Sequence, residues 1–117
     1  ARFLDSGDVA PEQFPAVPDF ELTRALIDTA SGLAGERGSS WHYSLNATDD
    51  AFYGEDEEWI RKLAGYGLLN IEMESLAIYT VAHRRRKRAA MVSAVSGNLY
   101  TGEVIYDRDN TSLVTGW

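Results

Sequence analysis

At 117 residues the chain has the length of one domain or part of one, and 44% apolar residues suffice for a core. It has no cysteine, which excludes disulfide frameworks and thiolate metal sites and suits the cytoplasm. Acidic residues outnumber basic ones 18 to 11, a net charge of −7, which argues against nucleic acid, because binding phosphates needs clustered Lys and Arg. No run reaches the roughly 18 apolar residues that span a membrane, so no membrane partner is expected.

Lys62 and Lys87 are the two lysines, the other basic residues being Arg. An acidic, Lys-poor composition fits salt adaptation or genome base composition, and the sequence leaves both open. The N-terminus shows no signal-peptide pattern. The chain starts without Met, at Ala1-Arg2-Phe3-Leu4, and Asp109–Val114 resembles a helix N-cap and first turn that stops at Trp117. Both ends fit a fragment.

In chain order, residues 1–18 carry Gly7, Pro11, Pro15 and Pro18 and read as an irregular surface segment. Asp19 is placed to cap a helix in which Leu22, Ala25, Leu26, Ala30 and Leu33 recur at helical spacing. That helix is expected to run to about Ala34 and close at Gly35. Trp41–Ala47 reads as a strand and Asn46–Gly54 as the loop leaving it.

Glu55–Glu58 forms an acidic first turn ahead of a helical stripe of Trp59, Ile60, Leu63 and Ala64, which Gly65 and Gly67 end. A helix start explains these acids better than a cation site. Leu68–Ile71 is a short strand. A helix follows from about Met73 to Arg86, with Leu76, Ala77, Ile78, Tyr79, Val81 and Ala82 around so much of its circumference that burial on more than one side is expected.

Arg84–Arg88 falls at that helix's C-terminus, where cations are favoured, which accounts for the run without nucleic acid. Ala89–Val95 is almost continuously apolar, as a central parallel strand would be. Ser96–Asn98 breaks it, and residues 98–110 read as loop. His42 and His83 lack partners at ligand spacing, so no metal is expected. The alternation of helix and strand predicts an α/β layered fold with a mostly parallel sheet.

In such sheets ligands bind beyond the carboxyl ends of strands. Three loops fall there: Asp49–Gly54, Ile71–Glu74 and Ser96–Glu103. Glu72 and Glu74 open a helix, and the pattern alone does not decide between charges that favour a helix start and a ligand site.

Asn70-Ile71-Glu72-Met73-Glu74-Ser75, leading into Leu76-Ala77-Ile78-Tyr79, resembles the ribose-binding signature of the hexameric nucleoside phosphorylase family. Uridine phosphorylases and bacterial-type purine nucleoside phosphorylases belong to it. Gln13–Phe20 is similar to the segment before the corresponding uridine phosphorylase helix, Phe52-Tyr53 to the base-stacking pair, and Ala94–Asn98 with Glu103 to the strand-to-loop switch near the base. The resemblance runs through nearly the whole chain, in order.

It implies a three-layer α/β/α fold with a mixed, mostly parallel sheet. It implies ribose contacts by Glu72, Met73 and Glu74, and base contacts by Phe52, Tyr53, Ile71, Ser96 and Gly97; the catalytic residues stay unassigned. Glu74 would accept from the 2′- and 3′-hydroxyls, Met73 would offer its amide and lay its side chain on the sugar, and Glu72 would fix the turn or touch the sugar. The implied reaction is phosphorolysis of a nucleoside, uridine first, to free base and ribose 1-phosphate. Inorganic phosphate is the co-substrate and no cofactor is needed.

The family's phosphate-holding arginines and glycine-rich turn precede the region seen here. Residues 1–117 would thus be the C-terminal part of one domain, inactive alone. The implied assembly is a cytoplasmic hexamer of dimers.

Two positions depart from the pattern. Gly97 stands where purine enzymes carry the acid that protonates the base, and Tyr53 leads into Gly54-Glu55-Asp56-Glu57 without the Gln and Arg that read uracil. A purine nucleoside phosphorylase, a nucleosidase and a degenerate nucleoside-binding module without catalysis are the alternatives.

Overall fold

The computed structural model describes residues 10–11, 14–49, 57–99 and 101. Its elements are α1 (Phe20–Arg37), β1 (Leu45–Thr48), α2 (Glu57–Gly65), β2 (Leu68–Glu72) and α3 (Ser75–Arg84). The chain is α/β, with β1 and β2 paired in parallel. No described helix is long and apolar enough to cross a membrane.

Asp19 caps α1 as its position predicts: its carboxylate accepts from Leu22 N at 2.9 Å, and its carbonyl accepts from the Thr23 hydroxyl at 2.7 Å. The helix passes through Gly35, the expected stop, and ends one turn later. An interior glycine costs a helix about 1 kcal/mol without breaking it. A left-handed residue ends the helix here: Gly38, at φ 64°, donates its amide to Ala34 O. The stripe of α1 is not packed away, for no residue of the helix is buried.

β1 begins at Leu45 rather than Trp41 and continues to Thr48. Asn46 and Ala47, where the expected strand and loop overlap, are strand residues, and so is Thr48, expected in the loop; the three lie opposite Asn70, Ile71 and Glu72. The Asp49 amide extends the pairing by donating to Glu72 O at 3.0 Å. An irregularity between Leu45 and Asn46 shifts the register, so that Asn46 faces Asn70.

α2 has the expected acidic start, with Arg61 on Glu57 at 2.8 Å one turn apart, and buries Leu63. Gly67 turns the chain into β2 at φ 81°, a conformation only glycine adopts readily.

α3 is shorter at both ends than Met73–Arg86. The carboxylates of Glu74 and Glu72 accept from the Met73 and Glu74 amides and hold them in the turn before it, and Arg86, at φ 52°, leaves helical geometry at the other end. Its burial is one-sided: Ser75, Leu76, Tyr79 and Thr80 are buried, whereas Ile78 and Val81 are exposed.

Ala89–Val95 is not a strand. A parallel strand takes its backbone bonds from a neighbour, and among the described residues β1 and β2 pair only with each other. Val92 and Val95 remain 69% and 72% exposed. Among the described residues the buried ones are Ala47, Leu63, Leu76 and Tyr79, with Thr48, Ser75 and Thr80 among them.

Candidate functional site

Side chains alternate along a strand, so Asn46 and Thr48 share one face of β1, and Asn70 and Glu72 share one face of β2. Parallel pairing sets these faces side by side, and Ser75 joins them from the first turn of α3. Glu72 is the hub. Its Oε1 accepts from Asn46 Nδ2 at 2.7 Å, from the Thr48 hydroxyl at 2.6 Å and from the Ser75 hydroxyl at 2.7 Å. Its Oε2 accepts from the amides of Glu74 at 2.8 Å and Ser75 at 2.6 Å.

The hydrogens fit an ionised Glu72. Thr48 Oγ1 and Ser75 Oγ also lie 2.8 Å apart, but each hydroxyl has one hydrogen. With both given to the carboxylate, none lies between them. The Asn46 amide has two, and the second reaches Ser75 Oγ at 3.2 Å. Asn70 Nδ2 donates to Asn46 Oδ1 at 2.5 Å, which turns the Asn46 amide so that its donors face Glu72.

Partial burial pushes the Glu72 carboxyl up. The bonds from Thr48, Ser75, Asn46 and the Ser75 amide outweigh it and take the group from the ordinary 4.5 to about 2. Burial, and then the Glu72 charge, push the Tyr79 hydroxyl up in turn. The two amides held by Oε2 are among those left open at a helix start, so Glu72 also caps α3 and complements its dipole.

The outer half of the turn differs. Met73 is 40% exposed. Glu74 is exposed and sits at the N-cap position without a side-chain capping bond. Among the described residues its carboxylate accepts one bond, from Met73 N at 3.1 Å. A carboxylate has about four acceptor positions, so most of its capacity faces solvent. An acceptor-rich carboxylate, a backbone donor and an exposed apolar side chain side by side suit a polyol with one apolar face.

Ile71 lies in β2 opposite Ala47, half-buried. Ser96 and Gly97 are exposed, and no hydrogen bond among the described residues joins either to the Glu72–Ser75 turn. Phe52, Tyr53 and Glu103 lie outside the described residues. Asn46, Thr48 and Asn70 are site residues that reading the sequence misses, and Ser75 gains a role the motif alone did not give it. The one available signal was polar alternation, Asn46 with Thr48 and Asn70 with Glu72, inside otherwise apolar segments.

A second concavity lies at the far end of α3, against the segment before α1. There the His83 ring packs edge-on against Phe14, with centroids 5.6 Å apart, and its Nε2 stands 2.8 Å from Val17 O. A carbonyl only accepts, so Nε2 carries the hydrogen. The space, lined by Asp19, Tyr79 and Lys87 among others, is about 70 Å³. Small-molecule sites take roughly 300–1,000 Å³, so the turn, and not this concavity, is the candidate site.

A turn at the carboxyl end of a parallel strand, opening a helix, is where α/β proteins commonly bind small molecules. The comparisons make the assignment specific. A model of the phosphorylase superfamily matches residues 1–112, and the chain belongs to that superfamily.

Three relatives illustrate the likeness. A guanosine phosphorylase of Halorubrum lacusprofundi is 34% identical over 90 residues, which are 77% of this chain and 36% of that protein. A DeoD-type purine nucleoside phosphorylase of Bacillus subtilis is 37% identical over the same shares. A uridine phosphorylase of Escherichia coli is 33% identical over 109 residues, 81% of this chain and 42% of its own length. The chain thus spans well under half the length of these relatives.

Proposed function

We propose that the chain supplies the ribose and base side of a nucleoside phosphorylase site. The protein that carries it converts a nucleoside and inorganic phosphate to free base and ribose 1-phosphate. The observation behind this reading is the exposed Glu74 carboxylate beside the Met73 amide, with Glu72 fully engaged behind them. The superfamily match and the phosphorylase names of the relatives support it.

Glu74 accepts from the 2′- and 3′-hydroxyls, as charge-assisted bonds favour. Its present bond to Met73 N is exchanged for the sugar, which frees that amide to donate. Met73 covers the apolar ribose face. Ile71, Phe52, Tyr53, Ser96 and Gly97 lie toward the base. Phosphate, held by a part of the fold outside these residues, attacks C1′ as the C1′–N bond breaks and the base leaves with the bonding pair. The transition state is oxocarbenium-like, so positioning and electrostatics carry the rate. No cofactor takes part.

The surrounding fold is a three-layer α/β/α structure with a mixed, mostly parallel sheet. The assembly is a cytoplasmic hexamer of dimers.

The proposed base is uracil, on the uridine phosphorylase likeness of Gln13–Phe20. A purine is the second reading, favoured by the relatives named guanosine and purine nucleoside phosphorylase. Assaying uridine and inosine, with and without phosphate, in the full-length protein carrying this chain tests the proposal. Base release that requires phosphate is the expected result. Release without phosphate identifies a nucleosidase, and binding without turnover a degenerate module; either overturns it.

A further inference from the structure

We infer that Asn46, Thr48 and Ser75 are positioning residues of the sugar site: they hold Glu72, and Glu72 holds the backbone that presents Met73 and Glu74. This rests on the proposed ribose role of Glu74 and adds β1 to the site. Glu72 has no free corner with which to act on a ligand, because its two oxygens take five bonds from protein donors. Three of the donors, on Asn46, Thr48 and Ser75, lie on the inner side. The other two are the amides of Glu74 and Ser75.

The carboxylate is therefore a rigid link between β1 and the turn. Thr48 and Ser75 are buried, and Asn46 is locked by Asn70, so the inner side has little freedom. The outer side has more: Met73 and Glu74 are exposed, and one 3.1 Å bond joins them. The direction of the Glu74 backbone, and with it the place of the Glu74 carboxylate and the Met73 amide, is thus set from behind through Glu72. Bound geometry tolerates displacements of roughly half an ångström before binding suffers. A loosened Glu72 should accordingly weaken the sugar contacts without touching the sugar.

The test uses the full-length protein carrying this chain, with uridine and inosine as probes. Thr48→Val keeps the shape of the side chain and removes its donor. It is expected to raise KM for the better substrate about tenfold with kcat much less affected, the mark of lost uniform binding. Thr48→Ser restores the hydroxyl and is expected to return KM to within about twofold of the unsubstituted protein. Ser75→Ala gives the same reading should Thr48→Val not fold.

Leu63→Ala is the control for general loss of stability: it hollows the core at α2 without removing a donor or acceptor of the network, and is expected to lower Tm while leaving KM unchanged. An unchanged KM in both Thr48→Val and Ser75→Ala overturns the inference. So does a KM in Leu63→Ala that rises as far as in Thr48→Val. Glu74→Ala separates this failure from that of the underlying reading. If it leaves KM unchanged, the ribose role is wrong; if it raises KM while Thr48→Val does not, only the positioning role is wrong.

Discussion

The two halves of the β2–α3 turn carry the same residue type two positions apart and use it in opposite ways. On the inner half, Glu72 spends both oxygens on β1, Ser75 and the α3 amides. On the outer half, Glu74 is exposed and accepts one bond, among the described residues, from its neighbour's amide. Both are acids at a helix start, where either gains from the dipole. What separates them is that Glu72 is the last residue of a strand whose neighbour supplies donors, whereas Glu74 has left the sheet. One acid builds the turn, and the other keeps most of its acceptor capacity toward solvent. The stability of the chain should therefore respond strongly to Glu72 and hardly to Glu74, and ligand binding should respond to both.

Glu72→Gln should break this division most. An amide offers one acceptor oxygen and an NH₂ group. With the oxygen toward the Glu74 and Ser75 amides, the NH₂ meets the Asn46 NH₂, donor against donor. With the oxygen turned inward, the NH₂ meets two backbone N–H groups. Neither orientation satisfies the network, and the expected loss is about 2–3 kcal/mol, in the range for bonds to a charged group left unmade. Urea unfolding should show a lower midpoint with an unchanged slope; a midpoint like that of the unsubstituted protein would mean that the five bonds do not hold the turn.

Acid should act on the same link more gently. The Glu72 value in the folded chain, about 2, lies below the ordinary 4.5 expected when unfolded. Its contribution is thus complete above pH 4.5, falls as pH drops, and is gone once pH passes below about 2. With the group's partial exposure to solvent allowed for, the loss is on the order of 1–2 kcal/mol. Unfolding followed from pH 5 to pH 2 should show this component in the unsubstituted protein and lack it in Glu72→Gln. Equal acid sensitivity in the two would place the responsible group elsewhere.

The contrast also marks what the sequence could show. The N-cap at Asp19, the acidic start of α2 and the short strand at Leu68 were legible, because each depends on neighbours within a turn or two. The ends of α1 and α3 were not. The first depends on Gly38 rather than Gly35 taking a left-handed conformation, and the second on Glu72 reaching forward to the Glu74 and Ser75 amides. Asn46 and Thr48 carry no role in the sequence, because their partner lies 26 and 24 residues away. They gain a role only when β1 is laid beside β2. Ala89–Val95 shows the reverse: its composition suits a buried strand, but an apolar run becomes one only where a neighbouring strand bonds it, and none among the described residues does. The resemblance found Glu72 and Glu74 together, and the structure assigned them different bonds.

Asn70→Ala tests the inner half at one remove. Asn70 touches neither Glu72 nor the turn amides in this network; it orients Asn46 by donating to Oδ1. Without it the Asn46 amide can rotate and present its oxygen to the Glu72 carboxylate, which repels it. The expected loss is about 1 kcal/mol, the size of one neutral hydrogen bond. The Asn46 side-chain NH₂ resonances should move toward exchange-averaged positions. A stability loss with those resonances unmoved would mean that Asn70 acts through strand packing instead.

Glu74→Ala should have the smallest effect on stability and is the sharpest test of the division. Its side chain is exposed, and the one bond it accepts among the described residues, from the Met73 amide, is long and open to water, which replaces it on truncation. Exposed substitutions of this kind fall within about 0.5 kcal/mol, so unfolding should be nearly unchanged. The variant should nonetheless raise KM for uridine or inosine more than any other change in the turn, because it removes the acceptor proposed for two sugar hydroxyls. A Glu74→Ala protein that unfolds as easily as Glu72→Gln would show the outer acid to be structural too, and the division between the two glutamates would fail.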